Sequence, residues 1–208
     1  MNANTQRRSI AGPVGPIECA LDLPVGGAQG LAVICHPHPL GGGTMDNKVV
    51  QTLARAALEL GWRSLRFNFR GVGASAGVWS EGEGEIADAL CVVRAFRAPS
   101  EPLLLAGFSF GAYVAAQVAS RMAEPDKPKR LVLVGPSTQK QAVGDVAGDT
   151  VVVHGELDDV VPLAATLAWA KQQSLPVIVF PGGGHFFHGQ LGMLKRVVIQ
   201  ELLPRPPH

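Results

Sequence analysis

A serine hydroxyl becomes a useful nucleophile only when a neighbouring imidazole takes its proton during attack. The same imidazole can then return that proton to the leaving group. Ser109 is the residue of this chain best placed for such work. It lies in LLLAGFSFGAY (103–113), where a leucine-rich run leads into Gly107-Phe108-Ser109-Phe110-Gly111 and then an alanine-rich segment. Flanking glycines permit the sharp turn from strand to helix that presents a serine hydroxyl, so the strand before and the helix after give this short pattern mechanistic weight.

The partners that such a serine needs lie downstream. HGELDDVVP (154–162) follows an apolar run and supplies Asp158 and Asp159; GGGHFFHG (182–189) follows the last apolar run and supplies His185. Both loops are expected at the carboxyl edge of a parallel sheet, where sites are assembled. His185 is the expected base. Asp158 or Asp159 would hold its ring in the correct tautomer, the other being solvated or capping a helix. His154 is expected to make a buried hydrogen bond at a strand end, and His188 either lines the pocket or is solvated. An acyl-transfer site also needs backbone N–H groups aimed at the developing oxyanion, one normally from the residue after the nucleophile, here Phe110. The second is expected from His36-Pro37-His38-Pro39-Leu40-Gly41. The prolines have no N–H, which leaves His38, Leu40 or a following glycine; His38 is preferred. The side chains of His36 and His38 are expected to shape this loop by hydrogen bonding, and no third ligand follows at metal-binding spacing.

These residues must be positioned by a regular scaffold. Arg8 to Ala11 and Ile17 to Leu23 read as two strands joined by a Gly-Pro turn. Leu31 to Cys35, Ser64 to Phe69, Pro102 to Ala106, Leu131 to Val134, Val151 to Val153 and Val177 to Phe180 read as buried strands. Helical spacing marks Val50 to Leu60, ending at Gly61, and Ile86 to Arg97, ahead of Pro99. Ala112 to Met122, Pro162 to Gln173 and Leu191 to Leu203 complete the set, Pro162 fitting a first helical turn. Strands alternating with helices predict an α/β fold, a mostly parallel sheet covered on both faces. Gly71 to Ala76 reads as a turn with Arg70 pairing locally, since Gly82 and Gly84 interrupt the helix that a dinucleotide fingerprint requires. Gly41 to Gly43 lacks the Gly-Lys-Ser/Thr ending of a phosphate loop. Phe186 and Phe187 are candidates for either core or acyl pocket.

The 208 residues, 47% of them hydrophobic, suit one domain spanning 1–208, with a frayed tail at 204–208. Lys and Arg (18) nearly balance Asp and Glu (17), so charge points to neither nucleic acid nor an anionic membrane surface. Cys19, Cys35 and Cys91 are odd in number and widely spaced, which suits buried reduced thiols and a cytoplasmic location. No apolar run reaches the roughly 18–20 residues of a membrane span. Arg7-Arg8 is not followed by an export-signal core, because Pro13, Pro16 and Glu18 break it.

The order Ser109, Asp158, His185 is that of α/β-hydrolases. The segments CHPHPLGGGTMDNKVV, FNFRGVGASAG, GFSFGA, HGELDDVVP and GGGHFFHG resemble those of small, lidless bacterial α/β-hydrolases related to dienelactone hydrolases and serine aminopeptidases. The resemblance implies an α/β-hydrolase fold and hydrolysis of an ester or related acyl bond without a cofactor or metal. Its His-Gly-x-x-Asp pattern places the acid at Asp158. Dienelactone hydrolases carry a cysteine where this chain has Ser109, so their substrate is not carried over. Lids in this fold usually follow the strand after the elbow helix. Here only Gly135 to Thr150 intervene, too few for a helical cap. An open site implies a small-molecule ester of short acyl chain. Thioester or aminoacyl substrates, and a non-catalytic binding protein on the same fold, are the alternatives. Either a monomer or a homodimer is compatible with this reading.

Overall fold

The computed structural model describes residues 5–203; the tail expected to fray lies outside them. Its strands are β1 (Gln6–Gly12), β2 (Gly15–Asp22), β3 (Leu31–Cys35), β4 (Arg63–Phe67), β5 (Leu103–Phe108), β6 (Arg130–Val134), β7 (Val151–Gly155) and β8 (Val177–Phe180). They form one sheet in the order β1-β2-β4-β3-β5-β6-β7-β8. β1, β2 and β4 are joined by antiparallel pairings, and the pairings from β4 through β8 are parallel. The helices are α1 (Lys48–Glu59), α2 (Glu83–Phe96), α3 (Phe110–Arg121), α4 (Leu163–Gln172) and α5 (Leu191–Leu202).

The apolar runs are continuous because the central strands are covered on both faces. In β3, Leu31, Val33 and Cys35 join a core shared with α2 and α3, whereas Ala32 and Ile34 point to a second core shared with α1 and α5. β5 alternates likewise, Leu103 and Leu105 against Leu104, Ala106 and Phe108. Asn47 caps α1, its side-chain oxygen accepting from the N–H groups of Val49 at 2.9 Å and Val50 at 3.4 Å. Between β6 and β7, residues 135–150 contain neither helix nor strand, so no cap is built there. Among the described residues no helix is long and apolar enough to cross a membrane.

Some boundaries differ from the sequence expectation. β4 ends at Phe67 rather than Phe69, although Asn68 N–H still donates to the Glu18 carbonyl at 2.9 Å. The Asn68 side-chain oxygen accepts from Met45 N–H at 2.9 Å and its amide donates to Glu18 at 2.8 Å. Pro162 stands outside α4 as its cap, with an extended ψ of 130°. Cys19 and Cys35 are buried, but Cys91 is only half-buried, its thiol donating to the Ala11 carbonyl at 3.3 Å.

Residues 71–76 do form a turn, yet Arg70 does not pair within it. Its guanidinium reaches Asp88 in α2 through bonds of 2.7 and 3.0 Å, and its own N–H donates to the same carboxylate at 3.1 Å. Asp88 is fully buried, so the pair locks the turn onto α2. Removing one partner strands a buried charge. Asp88→Ala is expected to lower unfolding free energy by about 3–5 kcal/mol in urea melts, whereas the joint replacement Asp88→Leu with Arg70→Met recovers most of it. Equal losses in both variants would show that packing, not the stranded charge, carries the effect.

Candidate active site

The end of β5, the start of α3 and the end of β3 approach each other more closely than side chains allow. A Cβ on Gly107 would overlap the Gly111 carbonyl, and one on Gly111 would overlap the carbonyl of Cys35. The intervening turn holds Ser109 at φ 57° and ψ −119°, a conformation strained for any residue with a side chain. Its N–H donates to the Val134 carbonyl at 2.9 Å, tying the turn to β6. The hydroxyl is thereby aimed at the carboxyl edge of the sheet.

The loops after β7 and β8 meet it there. His185 Nε2 lies 3.1 Å from Ser109 Oγ, and His185 Nδ1 lies 2.7 Å from Asp158 Oδ2. The other carboxylate oxygen accepts from the N–H groups of Val160 at 2.9 Å and Val161 at 2.7 Å. Burial pushes the Asp158 carboxyl up, but the His185 hydrogen bond, aided by the Val161 and Val160 N–H groups, outweighs it and holds the carboxyl below its usual value. An ionised Asp158 can only accept. Nδ1 therefore carries the ring proton and Nε2 is left to accept from the serine hydroxyl. Phe108 packs against the imidazole with ring centres 4.8 Å apart.

Asp159 is exposed at the surface beside this chain of bonds. His154 is fully buried, its Nε2 2.9 Å from the Val161 carbonyl and 3.3 Å from Asp158 Oδ2. Burial lowers its pKa, so the ring is neutral and donates to Val161. It braces the loop that carries Asp158. Phe187 is buried against Phe180, whereas Phe186 is 43% exposed and stands edge-on to the His185 ring. His188 is exposed, with its ring near Phe186.

The loop after β3 folds back as a short 3-10 turn. The N–H groups of Gly41 and Gly43 both donate to the His38 carbonyl at 3.0 Å, and that of Gly42 donates to Pro39. These bonds engage the glycines, leaving His38 and Leu40 as the candidate donors of the loop. Phe110 occupies the first position of α3, where a helix leaves its N–H groups unpaired. The loop is pinned from behind by His36. Phe69 N–H donates to His36 Nε2 at 3.0 Å, and His36 Nδ1 lies 2.6 Å from the Pro37 carbonyl. The ring is thus neutral with its proton on Nδ1.

Ser109, His38 and Phe110 open onto a cavity of about 340 Å³. Its walls include Leu40, Val160 and Val161, with Ser137 and Lys140 from the loop after β6. Neither Ser137 nor Lys140 was marked by a sequence motif. Only the position of their loop, at the carboxyl edge beside Ser109, could have drawn attention to them. Among the described residues, no group of three or more His, Cys, Asp or Glu is arranged to hold a metal ion.

A mostly parallel sheet wrapped by helices, without a lid and with a serine on the turn after β5, defines an α/β-hydrolase. The chain belongs to the serine aminopeptidase S33 family, whose model matches residues 28–148. An α/β serine hydrolase homologue from Coxiella burnetii is 41% identical, with a TM-score of 0.88 over 95% of this chain and 97% of that one. XC6422 from Xanthomonas campestris, a serine hydrolase of the same fold without a lid, is 36% identical, with a TM-score of 0.88 over 100% and 99%. The uncharacterized protein RP471 of Rickettsia prowazekii is 39% identical over 116 residues, 54% of this chain; the match spans about half of that protein, 49%.

The buried His36 ring gives the loop a pH signature. Burial lowers its pKa from 6.5 to about 4, the Pro37 bond opposing it. The unfolded chain takes up a proton near 6.5 and the native ring only near 4, so this group favours the native state above 6.5. That contribution is lost as pH falls through the window. Between about pH 7.5 and pH 5 the loss is about 2 kcal/mol. His36→Gln lacks this titration. The stability gap between wild type and variant in urea unfolding should therefore narrow by that amount at the lower pH, and a constant gap would refute a neutral buried ring.

Proposed function

We propose that this hydrolase is a serine esterase acting through an acyl-enzyme, with Ser109 as nucleophile, His185 as base and acid, and Asp158 as the carboxylate that orients the ring. The observation that carries this reading is the unbroken chain of short hydrogen bonds from Asp158 through His185 to Ser109 at the mouth of a cavity. Ser109 Oγ attacks the ester carbonyl carbon as its proton passes to His185 Nε2. The oxyanion so formed is held by the backbone N–H groups of Phe110 and His38. Collapse breaks the bond to the alcohol, which leaves with the proton from His185, and a water repeats the sequence to release the acid. The chemistry calls on no cofactor.

An ester is favoured over an aminoacyl substrate by the charge of the cavity. A free α-ammonium needs a carboxylate partner, yet the ionisable groups lining the cavity are His38 and Lys140, with no Asp or Glu among them. The absence of a cap between β6 and β7 supports short or water-soluble esters over long lipids. Three free thiols suit a cytoplasmic setting. The exposed edge strands β1 and β8 are where two copies would pair if the protein is a homodimer.

Two measurements test the site. A fluorophosphonate should add a single adduct to the intact protein and none to Ser109→Ala. Absence of an adduct on folded wild type would move the binding-protein reading ahead. Asp158→Asn is expected to lower kcat on the order of 10⁴-fold with the fold preserved, while Asp159→Asn stays within a few-fold of wild type. Hydrolysis that rises steadily with acyl length to long chains would overturn the preference for short esters.

A further inference from the structure

The cavity beside Ser109 has a lining of mixed chemistry. Leu40, Phe110, Val160 and Val161 supply apolar wall. The loop after β6 adds the Lys140 ammonium and the side chain of Ser137. Lys140 makes no ion pair among the described residues, and neither ring nitrogen of His38 has a hydrogen-bond partner among them. Of the carboxylates in the neighbourhood, Asp159 is exposed and two are engaged. Asp158 is bonded to His185, and the buried Glu85 accepts from the N–H groups of Ser80 at 3.0 Å and Gly82 at 2.9 Å. Burial first, and then Lys140, lower the pKa of the His38 ring against the opposing charge of Glu85, so the imidazole is neutral and can offer an N–H.

Which half of a substrate enters follows from the site geometry. The leaving oxygen must receive its proton from His185 Nε2 and so lies beside that ring. The cavity is lined by Ser109, His38 and Phe110, whereas His185 is not among its lining residues, which favours it as the acyl side. We propose that it accepts an acyl group whose far end carries a carboxylate, the apolar walls holding the methylenes and Lys140 the anion. The preferred substrates are then monoesters of short dicarboxylic acids. This inference rests on the acyl-transfer role of Ser109 and deepens it by naming the substrate class.

The test compares kcat/KM for the phenyl monoester of adipic acid with that for the phenyl ester of adipamic acid, a neutral isostere. A third substrate carries its carboxylate on the phenol instead. Wild type should favour the adipate ester. Lys140→Met is expected to lower the adipate-to-adipamate ratio about fivefold, Lys140→Arg to retain it, and added salt to erode it. Lys140 is exposed, so neither variant should disturb folding. An unchanged ratio in Lys140→Met overturns the inference, and so does a dependence on Lys140 confined to the substrate with the anion on its phenol. If the ratio is unchanged while Ser109 still takes the fluorophosphonate, only the carboxylate subsite fails. If wild type neither labels nor hydrolyses any of the three esters, the acyl-transfer reading fails with it.

Discussion

Everything at the carboxyl edge depends on one steric constraint, the contact of three backbone segments around Gly107, Gly111 and Cys35. Because neither glycine carries a Cβ, α3 can start almost against the end of β3. That closeness gives the loop after β3 and the first turn of α3 a common target. It also fixes Ser109 in a strained conformation that the surrounding sheet must hold. The hydrogen bond to Val134 and the two-faced burial of β5 supply the hold. A larger residue at either glycine would push α3 away from the end of β3.

A second layer of bonds transmits this rigidity to the loops. His36 ties the loop after β3 to Phe69, and Asn68 ties the same loop through Met45. His154 and the N–H groups of Val160 and Val161 brace the loop that carries Asp158. These bonds lie behind Ser109, His185 and Asp158. They hold the loops at the hydrogen-bonding distances of about 3 Å that the proposed proton transfer needs.

Much of this was legible in the sequence because the signals were local. The central strands could be read from unbroken apolar runs, since both faces of β3, β5 and β6 are buried. The glycines around Ser109 mark the turn for a steric reason that holds in any context. Other features have no local signature. Arg70 finds its partner 18 residues away in α2, so the turn sequence cannot reveal it. The glycine run after Leu40 offers N–H groups on paper, but the fold spends them within the loop, and only coordinates show that. Lys140 and Ser137 lie in an irregular loop without periodicity or motif, and reach the site because β6 ends beside Ser109.

The bare stretch between β6 and β7 also bears on the tempo of turnover. In many hydrolytic enzymes a cap must swing aside before product escapes, and that motion sets the pace. Here no such hinge exists between β6 and β7. On the proposed acyl-enzyme route, water would reach the covalent intermediate as freely as substrate reaches Ser109, which would leave the slow step to bond making and breaking.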